Sequence, residues 1–165
     1  MARMVDLAVT TYWWVETIAN PLAPTATEIT AGENISQYLT TATTFGADDS
    51  DTVSEKAITE TAQIDVPTIQ KYAASLEFFR DFTANAPSAT DLSNIFQGGN
   101  EQGYLVRRIG YPSSTAVAST QSVEIGKFIA DVPKYRGGEG NGFVKGSVKM
   151  LQQGFYKANV DVAGP

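Results

Sequence analysis

The sequence predicts a mainly β fold, a β-sandwich or barrel with one or two short flanking helices. Between residues 69 and 162, long runs alternate apolar and polar residues, which is the period of a strand with one dry face and one wet face. The same stretch contains no His, no Cys and no nucleophile motif. Most of this stretch is therefore expected to form strands with two usable faces and few reactive side chains, which is typical of a protein that assembles.

Composition predicts one domain, residues 1–165, with extended termini and a long loop at 46–67. Apolar residues make up 42% and charged residues 18% of the chain, as in soluble globular proteins. No apolar run approaches the roughly 20 residues that cross a membrane, and Met1–Asp6 has no apolar core of a signal peptide. We therefore expect neither a membrane protein nor a signal peptide.

Two missing residue types narrow the possible functions. Without cysteine the chain has no disulfide, thiolate nucleophile or sulfur-ligated metal, and without histidine it lacks the commonest general base and metal ligand. We expect no catalytic residue, no cofactor and no metal, and a protein that is not an enzyme. The net charge of −6 disfavours a protein that grips nucleic acid but suits a surface past which nucleic acid slides.

Val9–Ile18 is aromatic and β-branched and predicts the first strand. The adjacent Trp13 and Trp14 must then point to opposite faces. One of them can fill the subunit's own core. The other is covered either by a helix or loop of the same chain or by a neighbouring chain.

Thr25–Ala31 predicts a short helix after a proline-bounded loop. Thr25 and Glu28 match a capping box, in which each satisfies the other's free backbone donor, and Gly32 offers a left-handed stop. Ile35–Phe45 is Thr-rich and alternates weakly, which favours a second strand with a solvated face.

Gly46–Pro67 is the irregular segment of the chain. It carries six carboxylates and one lysine, namely Asp48, Asp49, Asp51, Glu55, Glu60, Asp65 and Lys56. Its first three acids resemble half of a calcium loop, but the DxDxDG spacing and the terminal Glu are missing, so a calcium site is not expected. Loops this long are uncommon in compact domains unless they serve a purpose. We expect an arm that orders against another subunit; the alternative is a surface excursion without a partner.

Ile69–Phe82 alternates again and predicts the next strand. Its apolar side carries Tyr72, Ala74, Leu76, Phe78 and Phe82, and its polar side carries Lys71, Ser75, Glu77 and Asp81. A helix capped at Ser88 follows and ends at Gly98-Gly99. Its apolar stripe is Leu92, Ile95 and Phe96.

Three further segments continue the predicted fold. Gly103–Gly110 predicts a short strand, and Tyr111–Thr120 a loop. Gln121–Val132 predicts a strand with a bulge at Gly126-Lys127, because its apolar residues move from odd to even positions there.

The Gly-rich segment Lys134–Gly142 predicts a hairpin tip before the last strand. It lacks the Lys-Ser/Thr of a phosphate loop and no helix follows it, so an anion site is not expected. Phe143–Val162 then alternates along its length. A bend or bulge is predicted at Gly154, where Leu151 and Phe155 break the pattern.

Two charged pairs could imitate a functional site. Arg107 and Arg108 lie mid-strand and face opposite ways, which favours cross-strand or intersubunit ion pairs over a nucleic-acid patch. Glu77 and Asp81 could imitate the carboxylate pair of a glycosidase, but their place on a wet strand face favours solvation.

A series of short motifs runs along the chain in a specific order. The opening reads Trp13-Trp14-Val15-x-Thr17-Ile18-Ala19-Asn20, then Ala23-Pro24-Thr25-x-x-Glu28-Ile29-x-Ala31-Gly32-x-x-Ile35. Thr52–Lys56, Leu76–Asp81, Gly103–Gly110 and Gly142–Val144 follow. In this order the motifs resemble those of the major tail proteins, or tail tube proteins, of siphophages that infect actinobacteria.

The resemblance implies a tail tube fold, with two antiparallel sheets packed as a sandwich or barrel and a flanking helix. It implies that six subunits close into a ring and that rings stack into a hollow tube for genome passage. The partners would be further copies of the chain, tail terminator, tape measure and tail-tip proteins, and double-stranded DNA that passes without specific binding. Assembly would occur in the host cytoplasm, and the assembled protein would belong to the virion.

Three groups of residues are then candidates for function. The arm between subunits or rings comprises the seven charged residues of Gly46–Pro67. The lumen candidates are Ser75, Glu77 and Asp81, whose polar and acidic side chains would let DNA pass without adhering. The stickier alternative is a wall dominated by Lys145, Lys149 and Lys157. The interface candidates are Trp13, Trp14, Arg107 and Arg108.

Other classes of protein stay open on the sequence alone. A capsid decoration or carbohydrate-binding β-sandwich module would show an aromatic platform or a deep pocket. A carboxylate-dependent hydrolase would show paired acids in a cleft. Within the structural class, the inner tube of a contractile machine is a further alternative.

Overall fold

The computed structural model shows one antiparallel sheet of eight strands, with a separate two-stranded ladder. It describes residues 9–59, 61–62, 64–83, 86–88, 91–137 and 142–164. The strands are β1 (Thr10–Val15), β2 (Glu33–Asn34), β3 (Thr44–Glu55), β4 (Ile64–Phe79), β5 (Phe82–Thr83), β6 (Ala86–Pro87), β7 (Gln102–Ile109), β8 (Ser122–Ala130), β9 (Lys134–Arg136) and β10 (Lys145–Asp161), and the helices are α1 (Ala26–Ala31) and α2 (Leu92–Ile95). The mainly β prediction with two short helices is confirmed.

The large sheet has the strand order β2-β1-β7-β8-β10-β4-β3, and β9 pairs with the start of β10 on the edge opposite β4. A single sheet thus replaces the two packed sheets that the resemblance implied. The strands predicted at Val9–Ile18, Ile69–Phe82, Gly103–Gly110 and Phe143–Val162 are present as β1, β4, β7 and β10. β1 was recognisable from its aromatic and β-branched residues, and β4 and β10 from stretches that alternate apolar and polar residues.

The segment between β2 and β3 joins two sides of the sheet. The Ile35 amide donates to the Tyr12 carbonyl of β1 at 3.1 Å, and the Thr40 amide donates to the Glu77 carbonyl of β4 at 2.8 Å. The strand predicted at Ile35–Phe45 is therefore wrong. This segment must turn in order to leave one strand and reach the other, so regular pairing begins only with β3.

Two hydrophobic cores lie on opposite faces of the sheet. The inner core lies against α2 and contains, among others, Trp14, Phe45, Tyr72, Leu76, Phe78, Phe96, Leu105, Phe128 and Val148. The outer core lies under α1 and contains Trp13, Val15, Ile18, Ile29, Val106, Val123, Ile125, Val160 and Val162. Trp13 and Trp14 are 5% and 4% exposed. Of the two predicted ways to cover the second tryptophan, the structure shows cover within the same chain, because Trp13 packs in the outer core with Ile29 of α1.

α1 begins as the capping box predicts. The Glu28 amide donates to the Thr25 hydroxyl at 3.2 Å, and the Thr25 amide donates to the Glu28 carboxylate at 2.8 Å. The helix ends at Ala31 with Gly32 as its C-cap, as predicted, but the φ of Gly32 is −75°, so the predicted left-handed conformation is wrong. Glycine is required for another reason: a Cβ there would lie 2.6 Å from the Trp14 carbonyl oxygen and from Val15 Cγ2. α1 therefore packs directly on β1.

α2 is shorter than predicted and has a different cap. Asp91 is its N-cap, and the Asp91 side chain accepts a hydrogen bond from the Ser93 amide at 2.8 Å. The predicted cap at Ser88 is therefore wrong. Leu92 and Phe96 are buried, as their apolar stripe predicts.

β10 carries the predicted irregularity at Gly154. Its register with β8 shifts between Gln152 and Tyr156, and Gly154 has a φ of 72°. A second shift, which the alternation did not predict, follows between Lys157 and Val160.

The bulge predicted at Gly126-Lys127 of β8 is wrong. β8 pairs with β7 in unbroken register from Gln102↔Ile129 to Arg107↔Glu124. The apolar phase changes there because Ile125 faces the outer core and Phe128 faces the inner core. A strand that serves two cores in succession gives the same sequence pattern as a bulge.

Gly46–Pro67, predicted as irregular, is a long hairpin. β3 pairs with β4 from Thr44↔Ser75 to Glu55↔Ile64, with register shifts near Asp51. Most of its side chains are exposed on both faces, so no dry face imposes a period of two on the sequence. The pattern of apolar and polar residues therefore did not predict the hairpin.

Replacing Gly32 with alanine tests the close packing of α1 on β1. The added methyl group would meet the backbone and a side chain of β1 at 2.6 Å, so the free energy of unfolding should fall by about 1–3 kcal/mol. Gly137→Ala is the matched control, because nothing lies within 4 Å of its Cβ position. Urea unfolding measures both, and equal stability of the two variants would contradict the close contact.

Candidate functional site

The β3–β4 hairpin leaves the body of the protein beyond Tyr72, and we call residues 48–70 the arm. The described side chains of the arm are exposed, apart from the half-buried Ser50. β10 pairs with β4 only from Ala74 to Phe79, so the arm consists of two strands alone. An isolated two-stranded hairpin in water is marginally stable at best. The pairing found in the described residues thus gives the arm no third strand beside it.

The two faces of the arm differ in polarity. Val53 lies opposite Val66, and Ile64 lies on the same face opposite Glu55. The three apolar side chains, Val53, Ile64 and Val66, are 48%, 57% and 53% exposed. On the other face, the Ser54 hydroxyl donates to the Asp65 carboxylate.

The predicted arm residues lie along this hairpin. Asp48, Asp49, Asp51, Glu55, Lys56 and Asp65 are exposed, whereas Glu60 lies outside the described residues. The Lys71 ammonium lies 2.5 Å from the Asp51 carboxylate. Within the described ranges, no group of three metal-ligating side chains forms a site, the three aspartates included.

A second surface lies on β4, β9 and β10, on the side that faces away from the inner core; we call it the outer face. Strand register places Ser75 opposite Lys149 and Phe79 opposite Lys145. Because directly opposed residues share a face, the outer face carries Ser75, Glu77, Phe79, Lys134, Arg136, Lys145, Ser147 and Lys149. The outer face therefore has a basic character.

This pairing changes the meaning of the lumen prediction. The sequence predicted a lumen lined either by Ser75 and Glu77 or by Lys145 and Lys149. In the structure β4 and β10 are neighbours, and all four side chains lie on one surface. A wall built from the outer face of β4 therefore includes both lysines. Lys157 is separate, since it pairs with Ile125 beyond the first register shift.

Glu77 and Asp81 are both engaged within the subunit. The Thr40 hydroxyl donates to Glu77 at 3.0 Å and Lys145 Nζ lies 3.3 Å from it, and these contacts hold the pKa of Glu77 below its ordinary value. Asp81 lies past the end of β4, where its carbonyl accepts from the Ser88 amide at 2.9 Å. The two carboxylates are thus not a catalytic pair on one strand face.

The end of the outer face combines aromatic and basic side chains. Phe79 and Phe143 meet edge to face with ring centroids 5.5 Å apart, and Lys145 Nζ lies 5.8 Å from the Phe79 centroid. Phe143 is 80% exposed. We call Phe79, Phe143, Lys134, Arg136 and Lys145 the basic–aromatic end.

A buried ion pair fixes the chain beside this end. Arg80 Nε lies 2.9 Å from Asp91 Oδ2, and the two side chains are 7% and 0% exposed. Burial by itself would raise the pKa of Asp91, but hydrogen bonds from Ser93, Arg80 and the Asp81 amide outweigh burial and lower it. The Arg80 guanidinium also lies 4.2 Å from the Tyr135 ring. The pair thus ties the C-terminal end of β4 to α2 and touches β9.

The two arginines predicted at an interface are used inside the subunit. Arg107 forms a cross-strand ion pair with Glu124, its Nε donating at 2.8 Å. Burial and the hydrogen bond to the same Glu124 raise the pKa of Tyr156 to about 12. Arg108 is fully buried and donates to the Thr115 carbonyl at 2.8 Å, which holds the loop after β7.

Sequence patterns did not identify the basic–aromatic end. Four of its members come from three strands that meet through long-range pairing, and Phe143 lies just before β10. Lys134 and Arg136 belong to the segment that the sequence predicted as a hairpin tip. One available signal was charge segregation. Acidic residues concentrate between 48 and 65, whereas six basic residues and few acids lie between 127 and 157.

The exposed arm and the basic outer face are the two surface features that distinguish this mainly β chain. The chain matches the phage tail tube protein family over residues 1–165 and belongs to that family. Its fold is similar to a structure described as the anti-feeding prophage baseplate determined by cryo-EM with six-fold symmetrisation, at a TM-score of 0.60 and 9% identity, covering 95% of this chain and 96% of that chain. No curated protein matches the chain. Neither described helix is long and apolar enough to span a membrane.

Replacing Asp91 with asparagine tests the buried pair. The pKa of Asp91 is lowered on folding, so its charge stabilises the protein above the unfolded pKa of about 3.9, and this contribution is lost as pH falls through the folded pKa. At pH 7 the variant should lose about 3–5 kcal/mol of unfolding free energy. The difference from the unmodified protein should shrink on acidification below about pH 4.

Urea unfolding across this pH range provides the measurement. Asp161→Asn at the exposed end of β10 is the control for removing one carboxylate. A difference between Asp91→Asn and the unmodified chain that stays constant from neutral to acid pH would contradict the role of the charge.

Proposed function

We propose that this tail tube protein closes into hexameric rings that stack into the hollow tube of a siphophage tail, through which the genome passes. The observation that carries the proposal is the arm, a hairpin exposed on both faces that lacks a core of its own. Neighbouring subunits supply the missing contacts. Pairing of strand edges around a closed ring also removes exposed edges.

The surroundings of the tube follow from the same proposal. The tube contacts tail terminator, tape measure and tail-tip proteins at its ends and in its interior, and it binds no membrane. It assembles in the cytoplasm of an actinobacterial host and remains in the virion. It has no catalytic activity, which agrees with the ion pairing of Glu77, Asp91 and Glu124 to Lys145, Arg80 and Arg107.

A carbohydrate-binding module is the less favoured alternative. Such a module presents flat aromatic rings to the sugar, whereas Phe79 and Phe143 meet at an interplanar angle of 78°. The edge-to-face arrangement offers no continuous platform. An arm without a core is, moreover, better explained by assembly than by sugar binding.

We propose that Ser75, Glu77 and Asp81 line the lumen of the tube. Because Lys149 lies opposite Ser75, this wall carries both charge signs. Neighbouring opposite charges weaken the field that a phosphate backbone meets, and salt screens what is left beyond about 8 Å. A mixed wall of this kind lets DNA pass without specific binding.

Removing the arm tests the tube proposal. Residues 48–71 can be replaced with Asn-Gly, because Ala47 lies opposite Tyr72 and this dipeptide favours a two-residue hairpin turn. The core residues Phe45 and Tyr72 remain, so the subunit should fold and close into rings. Rings should not stack, which electron microscopy and sedimentation velocity would show. Normal tubes from the shortened chain would contradict the role of the arm.

Labelling of a single cysteine tests the lumen. The natural chain has no cysteine, so Ser75→Cys introduces one thiol per subunit. A small maleimide should label this thiol in free subunits and in tubes, whereas a maleimide on a long polyethylene glycol chain should label free subunits only. Equal labelling of tubes by both reagents would place Ser75 on the outside, and protection from both would place it in an interface.

A further inference from the structure

The two ends of β4 differ in chemical character. β4 has 16 residues, which correspond to about 50 Å of strand. Its N-terminal half forms the arm, and its C-terminal residue Phe79 belongs to the basic–aromatic end. One rigid strand therefore carries two different exposed surfaces at opposite ends.

The charges of these surfaces are complementary. The described part of the arm carries Asp48, Asp49, Asp51, Glu55 and Asp65 with Lys56. The basic–aromatic end carries Lys134, Arg136 and Lys145. The two surfaces of one subunit cannot meet, because they lie at opposite ends of the same strand. Their attraction can be satisfied only between subunits.

The apolar groups of these surfaces are complementary as well. The arm exposes Val53, Ile64 and Val66, and the basic–aromatic end exposes Phe79 and Phe143, at 37% and 80%. Exposed apolar groups of this kind, rimmed by charge, mark surfaces that are covered in an assembly. Contact between them removes both from water, and the surrounding charges fix the register.

We infer that the arm of one subunit docks head to tail on the basic–aromatic end of a subunit in the adjacent ring, an inference that rests on the proposed tube. The arm is long enough for this contact, since the eight steps from Tyr72 to Ile64 correspond to about 25 Å. The contact joins two different patches and is therefore heterologous. A heterologous contact that does not close repeats in one direction, which is what an open stack of rings requires.

Charge reversal on either surface provides the test. The arm variant is Asp49→Lys with Glu55→Lys, and the end variant is Lys134→Glu with Arg136→Glu. All four side chains are exposed, so the subunits should fold with unchanged melting temperatures. Each variant alone should form rings but lose tubes. The control is Lys149→Glu with Lys157→Glu, which reverses two exposed charges on β10 outside the basic–aromatic end and should leave tubes intact.

Mixing the two variants distinguishes a head-to-tail contact from other contacts. Rings of the arm variant keep a normal basic–aromatic end, and rings of the end variant keep a normal arm. Neither variant stacks alone, but one normal arm and one normal end meet when the rings are mixed. The substituted arm of the first variant and the substituted end of the second also carry opposite charges at the changed positions. Electron microscopy should therefore show tubes of alternating rings in the mixture, although neither variant builds tubes alone. A chain with all four substitutions should build tubes again, because both charges are exchanged.

A second substitution addresses the apolar part of the contact. Phe143→Ser should also abolish stacking, whereas Leu22→Ser, at a residue that is 62% exposed outside both surfaces, should not. Normal tubes from the arm variant, the end variant or Phe143→Ser would overturn the inference and leave the tube proposal intact. A mixture that gives only single rings would overturn it as well. Failure of the unmodified protein to form rings or tubes would instead overturn the proposed function.

Discussion

The structure depends on one constraint: a single curled sheet must bury different faces in different places. β10 meets it by contributing Val148 to the inner core and Val160 to the outer core. Both positions are even, so a regular strand would point them to the same face. The register shift before Val160, where Asn159 has a φ of 54°, exchanges the two faces. The outer core covers one part of the sheet, and the outer face of β4, β9 and the start of β10 lies outside it.

Buried polar contacts fix the ends of this sheet. Arg108 ties the loop after β7 through carbonyl oxygens, and Arg80 with Asp91 ties the end of β4 to α2. Burying a charge is costly unless hydrogen bonds satisfy it, so each of these groups specifies one arrangement of its surroundings. The basic–aromatic end is consequently presented on a fixed support.

The sequence predicted those elements whose physical causes are local. The capping box of Thr25 and Glu28 and the dry face of β4 from Tyr72 to Phe78 act within one turn or one strand. The sequence predicted that the arm is exposed but not that it is a hairpin. A strand exposed on both faces needs no alternation of apolar and polar residues, so the sequence shows no strand pattern there. The basic–aromatic end was not predicted, because it exists only after β9, β10 and β4 pair. Gly126 was misread because periodicity alone does not distinguish a bulge from a change of core.

The hairpin conformation of the arm changes the energetics of assembly. An irregular segment would lose roughly 1–2 kcal/mol per residue in backbone entropy on docking, which a small exposed surface could not offset. A paired hairpin has already lost part of that entropy on folding, so its contacts contribute more fully to binding. In the proposed ring, several arms act together, and docking of one arm places the others at high effective concentration. The proposed contact between rings can therefore consist of individually weak apolar and ionic contacts.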